Sequence, residues 1–233
     1  MVIRMLSMKK LSILTIASIA TCSVSAATLD FRQEYKHDQE AYASRIKIGT
    51  SIDDHFFGLE AKQQGKPFSE WERADNEFEY GYHFFKQDGW RATASMPITF
   101  GNESITYKPQ VRVQYTFDNG LTTKLRYRHE IRDFSNEESS RDRSKVTANL
   151  DYNWEAFQFG FEANYADDIT DFAGDWPMSQ SDKEWDYNVK IGYKEQDWSW
   201  RPYVEFGNVQ CTSDLDCDSG RQLRSRVGIT YSF

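Results

Sequence analysis

Beyond its N-terminus this 233-residue chain has no run of about 18 consecutive apolar residues, so helices cannot carry it across a bilayer. Five prolines and 13 glycines are too few for a low-complexity chain. Hydrophobic residues make up only 39% of the sequence, below the roughly 45–50% of ordinary globular chains, and the mean hydropathy is −0.73. That deficit alone points toward disorder, yet disordered chains are also poor in aromatics. Here aromatics reach 15%, with 16 Phe, 13 Tyr and 7 Trp. Low hydropathy and abundant aromatic rings need one common explanation.

The N-terminus reads as a processing signal: Arg4, Lys9 and Lys10, then the apolar run 11–20, then the small-residue cleavage site Val24-Ser25-Ala26. The run is too short for a transmembrane helix. Met8 offers a second start, and Cys22 a lipoprotein alternative that Thr21 suits poorly. The expected division is a signal peptide over 1–26 and one domain over 27–233, since the length allows one domain or at most two. Removing the three basic residues of the signal leaves 25 basic against 36 acidic side chains, a balance of −11. Such a balance argues against a nucleic-acid partner. Two of the three cysteines remain, Cys211 and Cys217, close enough to bridge within one loop in the oxidising setting that export implies.

From Thr28 to Phe233 the dominant period is two, the period of half-buried strands. In the last segment Leu223, Val227, Ile229, Tyr231 and Phe233 share one face, opposite Arg224, Arg226, Gly228 and Thr230. Over 107–117, Tyr107, Val111, Val113, Tyr115 and Phe117 oppose Lys108, Gln110, Arg112 and Gln114. Twelve such segments are predicted, near 28–36, 42–51, 56–63, 74–85, 90–99, 105–117, 121–132, 145–154, 157–166, 183–194, 198–208 and 222–233. Their lengths match the ~9–11 residues with which a tilted strand crosses a bilayer. Aromatics gather at strand ends: Trp90, Phe117, Trp154, Trp185, Tyr193, Trp198, Trp200 and Phe233. Short connections, such as the hairpin signal Asp118-Asn119-Gly120, alternate with longer charged ones near 64–73, 133–144, 167–182 and 209–221.

A soluble β-sandwich shows the same alternation. The even strand count, the terminal Phe233 and the charge on one face of nearly every strand favour an up-and-down transmembrane barrel, with the apolar face toward lipid and the charged face toward water. Parity then predicts the inward cations. Arg32, Arg45, Lys47, Lys62, Arg224 and Arg226 fall on the twelfth, first, second and third strands; Arg91, Lys108, Arg112, Lys124, Arg126, Arg128 and Arg132 fall on the fifth to seventh. Asp75, Glu77 and Glu79 make the fourth strand acidic, and the eighth to tenth contribute Asp151, Glu162 and Asp186 with Lys190 as an exception. In a ring of twelve, the first strand faces the seventh, so the cations form two opposed ladders. Each guanidinium presents a planar fork that matches a carboxylate. Weak repeated sites of that kind suit an acidic solute that must both enter and leave. The plainer alternative is that these side chains only solvate the lumen and pair with Asp and Glu.

The run Leu125-Arg126-Tyr127-Arg128, the stretch Trp200-Arg201-Pro202-Tyr203-Val204-Glu205-Phe206-Gly207-Asn208-Val209, the closing segment 224–233 and the mature start Ala27-Thr28-Leu29-Asp30-Phe31-Arg32 resemble the oligogalacturonate-specific porin family (KdgM). The resemblance implies a monomeric twelve-stranded outer-membrane channel for acidic oligosaccharides, without a cofactor, lined by two arginine tracks. Matching positions are Arg32, Arg112, Arg126, Arg128, Arg224 and Arg226. The family also includes a channel for sialic acid, and the loops of this chain depart from the family pattern at Cys211–Cys217 and at 133–144, so another acidic sugar or a less selective small-solute porin stays open.

Other chemistry fits less well. Asp214, Asp216 and Asp218 start like a calcium loop, but position twelve is Ser225 on a strand. The four histidines are scattered, with His37 and His55 in turns, His129 on the lipid parity and His83 inward, and no serine stands in a G-x-S-x-G context. Paired carboxylates such as Glu77 and Glu79 on a wet wall lack the desolvation that acid catalysis needs. An enzyme is not expected.

Overall fold

The computed structural model describes residues 26–135, 140–169, 183–211 and 220–233. Residues 1–25 of the expected signal peptide 1–26, the loop acids Glu137, Glu138, Asp171 and Asp175, the calcium-like residues Asp214, Asp216 and Asp218, and Cys217 lie outside them.

The chain runs through β1 (Ala26–Lys36), β2 (Ala41–Ile52), β3 (His55–Gln64), β4 (Glu72–Gln87), β5 (Trp90–Phe100), β6 (Ser104–Tyr107), β7 (Gln110–Thr116), β8 (Thr122–Phe134), β9 (Arg141–Trp154), β10 (Phe157–Asp168), β11 (Lys183–Tyr193), β12 (Trp200–Gln210) and β13 (Arg221–Ser232). All pairings are antiparallel and, apart from β6 and β7, which both lie between β5 and β8, join sequence neighbours; β13 returns to β1 with Thr28 opposite Ser232 and Lys36 opposite Arg224. The sheet is therefore closed, which removes the unpaired edges that lipid does not tolerate.

The sixth expected strand is present in two pieces, β6 and β7, so thirteen segments make twelve staves. The cause is Pro109, which has no N–H for the ladder. Both pieces pair with β5 and β8, and the ladder is carried past the gap by Lys108 N–H donating to Pro97 O (2.9 Å) and His129 N–H to Pro109 O (3.0 Å). His55, expected in a turn, opens β3 instead, because the β2–β3 turn needs only Asp53 and Asp54, with Asp53 left-handed at φ 54. Asp88-Gly89 closes β4–β5 with both residues left-handed (φ 49 and 80), a turn whose twist suits a hairpin.

Burial is the reverse of a soluble protein's. Leu125 is 58% exposed, Leu59 56%, Val227 56% and Val189 50%, whereas Thr147 is 1% exposed, Asn188 3% and Asn164 6%. The core of this molecule is polar, and its oily face points out. Among the described residues no helix is long and apolar enough to cross a membrane; the strands do the crossing. Rings gather at both rims. On the short-turn side Trp90 packs on Tyr115 (4.7 Å), Tyr193 on Trp198 (5.8 Å) and Trp200 on Tyr231 (4.3 Å); at the other end Tyr35 meets Tyr42 (4.6 Å) and Tyr165 meets Trp185 (4.6 Å). Such girdles mark the two interfaces of a membrane barrel. The start of β1 and the end of β13 lie at the short-turn end, where Phe233 N–H donates to Ala27 O.

Candidate functional site: the inner wall

Parity places the charged side chains inside, and register decides which of them meet. On β1, β2 and β13 the wall carries Arg32, Arg45, Arg224 and Arg226. Arg45 reaches Asp30 (2.5 Å) and Glu60 (3.5 Å). Arg226 is clamped between Glu34 (2.6 Å) on β1 and Glu205 on β12. Asp30 also accepts hydrogen bonds from Tyr203 (3.0 Å) and Thr230 (2.9 Å). Tyr203 reaches it by crossing Gly228, where a Cβ would collide with the ring. The inward face of β12 is thus fastened to β1 over the intervening strand.

A second group lies on β6 to β9. Lys108, beside the proline break, meets Glu77 (2.8 Å), and Lys124 meets Asp151 (2.8 Å). Arg128 donates to Gln110 (2.8 Å) and lies 3.4 Å from Glu130. Arg126 donates to Thr147 Oγ1 at 2.9 Å. Arg112 shares its register level with Arg126. Between the groups Lys47 reaches Glu79 (3.6 Å) and Lys62 reaches Glu60 (3.2 Å), so the acids of β3 and β4 are taken up by their own neighbours. Arg91 stands at the short-turn rim, exposed, beside Lys86 in register. A lumen cavity of about 320 Å³ has Arg32, Arg45, Arg224 and Arg226 on one part of its lining and Lys145, Asn149, Asp151 and Glu162 on another.

The wall sorts its cations by partner. Arg45, Arg226, Lys108 and Lys124 are each in an ion pair. Among the described residues Arg32, Arg112, Arg126, Arg224, Lys145 and Lys190 have no carboxylate within ion-pair distance; Lys190 lies instead over the Tyr203 ring, 3.7 Å from its centroid. Their charge is left to face the water of the lumen.

Parity missed part of this wall. β9 starts at Arg141, four residues before the expected boundary, which adds Arg141 and Arg143 to the inner face of a strand expected to be acidic, and Lys145, inside the expected bounds but not counted there, joins them. Extending the Thr147, Asn149, Asp151 alternation backward would have found them. Arg143 bridges Asp168 (3.3 Å) and Glu184 near the outer end. Arg201 is inward as well, donating to Gln158 at 3.0 Å. Cys211, directly after β12, is buried and disulfide-bonded. No group of three or more His, Cys, Asp or Glu side chains fit for a metal occurs among the described residues.

Comparison with known proteins follows this geometry. The family model described as oligogalacturonate-specific porin protein (KdgM) matches residues 20–233. The oligogalacturonate-specific porin KdgM of Dickeya dadantii is 28% identical over 242 residues, covering 96% of this chain and 99% of the relative. The YiiY protein of Salmonella typhimurium is 29% identical over 237 residues, covering 97% and 99%. Among solved structures, a NanC porin superposes with TM-score 0.73 at 17% identity, covering 87% of this chain and 98% of that one. The KdgM porin in complex with disordered oligogalacturonate superposes with TM-score 0.66 at 23% identity, covering 88% and 99%.

Proposed function

Because the chain belongs to the oligogalacturonate-specific porin family, we propose that it is an outer-membrane channel, not an enzyme, through which acidic oligosaccharides diffuse. The observation that carries this reading is the set of lumen guanidiniums without carboxylate partners, Arg32 and Arg224 in one group and Arg112 and Arg126 in the other. In ring order β1 faces β8 across twelve staves, so the two groups form opposed ladders. A uronate carboxylate meets a planar fork of two N–H donors at each rung. In a wet lumen each contact contributes only about 0–1 kcal/mol, which lets the solute step from rung to rung without being trapped. The paired cations hold the wall's shape, and the unpaired ones supply the attraction. Export through a signal peptide over 1–26, a monomeric barrel with lipid as its other partner, and a Cys211–Cys217 bridge that staples the β12–β13 connection complete the reading.

Planar-bilayer recording tests it. The channel is expected to prefer anions in a KCl gradient and to be blocked by digalacturonate, and Arg126→Ala or Arg224→Ala should weaken that block several-fold, on the order of the ~1 kcal/mol of one charge-assisted hydrogen bond. Cation selectivity would remove the acidic-sugar reading.

A further inference from the structure

We infer that Glu162 on β10 is a positioning residue that aims two lumen arginines at once, Arg126 on β8 and Arg224 on β13, through intervening neutral groups. The inference rests on the acidic-solute reading above and names a determinant of it. One oxygen of Glu162 accepts from Asn164 Nδ2 (2.8 Å) and Asn188 Nδ2 (3.1 Å), and the other from Asn149 Nδ2 (3.1 Å). An amide whose NH2 is held by a carboxylate must turn its carbonyl oxygen away. The Asn164 carbonyl accepts the Thr147 hydroxyl at 2.7 Å, which orients that oxygen to accept Arg126 Nη2 at 2.9 Å. The Asn188 carbonyl accepts Arg224 Nη2 at 2.7 Å. Gly207 stands in register between Asn188 and Arg224, and a Cβ there would collide with the Asn188 carbonyl oxygen, so this glycine is what lets the link pass over β12. The Nε of both arginines is shut off from water without a partner, which leaves the Nη2 bond as the anchor of each head group.

The chemistry explains why amides intervene. A carboxylate touching an arginine directly, as Glu34 and Glu205 touch Arg226, fixes the head group but spends its charge. A carboxylate one amide away fixes it while the positive charge still faces the lumen. Glu79, Gln110 and Arg128 repeat the amide relay on the other flank, though there Glu130 also stands 3.4 Å from Arg128: Gln110 Nε2 donates to Glu79 (3.0 Å) and its carbonyl oxygen accepts Arg128 Nε (2.8 Å).

Glu162→Leu, which removes the acceptor oxygens together with the charge, separates aiming from simple charge. It removes one negative charge from the lumen, so unstructured electrostatics requires a stronger block by digalacturonate. Aiming requires the reverse: a block weakened about fivefold, the size of one lost hydrogen bond, while the reversal potential in a KCl gradient moves toward more anion selectivity. The effects of Arg126→Ala and Arg224→Ala should also shrink in the Glu162→Leu background. Asn188→Ala, a milder change, should shrink the Arg224→Ala effect and leave that of Arg126→Ala whole. A block that strengthens or stays the same, or additive effects in the double variants, overturns the inference. If the wild-type channel is not blocked by digalacturonate at all, the acidic-sugar reading falls, and the same double variants read by chloride-over-potassium permeability still decide whether Glu162 couples the two arginines.

Discussion

Arg226 and Arg32 sit two strands' width apart at most, yet their surroundings assign them different tasks. Arg226 fills the gap between two half-buried carboxylates, Glu34 and Glu205. Its removal leaves two like charges facing each other with no cation between them. Arg226→Ala is therefore expected to lose about 1–3 kcal/mol, read as a lower urea midpoint in tryptophan fluorescence, whereas Arg32→Ala should keep the midpoint and lose solute affinity. Asp54, in the β2–β3 turn outside the membrane, shows the same pairing in water. The hydrogen bond from Lys86 (2.5 Å) holds its carboxyl below the ordinary 3.8. A depressed carboxyl stabilises the folded turn above that ordinary value, and the contribution disappears as pH falls through the lower folded value. An NMR titration should find the Asp54 midpoint below 3.8, and Lys86→Ala should return it toward 3.8.

At the scale of a strand, alternation is what the bilayer selects. Leu125 stands outward between inward Lys124 and Arg126, 58% exposed on a face that only lipid can cover. Leu125→Lys should destabilise the barrel by about 1–3 kcal/mol at a depth between rim and midplane, measured by chemical unfolding from vesicles; a change near zero would place this face in water. Inward positions fail for a different reason. Gly228 gives its space to the Tyr203 ring, and a Cβ there also meets the Phe31 carbonyl oxygen. Gly228→Val should leave a barrel that no longer shows the heat-modifiable band of the folded form on a gel, while Tyr203→Phe, which loses only the hydroxyl bonds to Asp30, should fold with a modest loss of stability.

Taken as a whole, the molecule is acidic, and the attraction proposed for its channel is local. The chain carries a formal charge of −8, but many acids are consumed by neighbouring cations on the same wall, and unpaired guanidiniums remain. Attraction of this kind is screened once the Debye length falls below the lumen's radius. Anion preference should therefore decline steeply between 0.1 and 1 M KCl, where that length shrinks from about 10 to about 3 Å; a preference indifferent to salt would mean that size alone selects. Much of the architecture was legible in the residues. The period of two set the strands, the Phe233 terminus and the aromatic ends set the rims, and parity alone separated Arg126 from Leu125, because a pleated strand sends alternate side chains to opposite faces in any context. Pairing partners were not legible. Nothing in the local pattern says that Glu205 belongs to Arg226 or that Asn188 passes Gly207 to reach Arg224. Those contacts join residues far apart in the chain, and they follow from the register at which the staves close into a ring. Sequence by itself determined which side chains face water and which face lipid; only the closed barrel decided which of the inward charges are spent on one another and which keep no carboxylate partner, because pairing depends on the register at which distant strands meet.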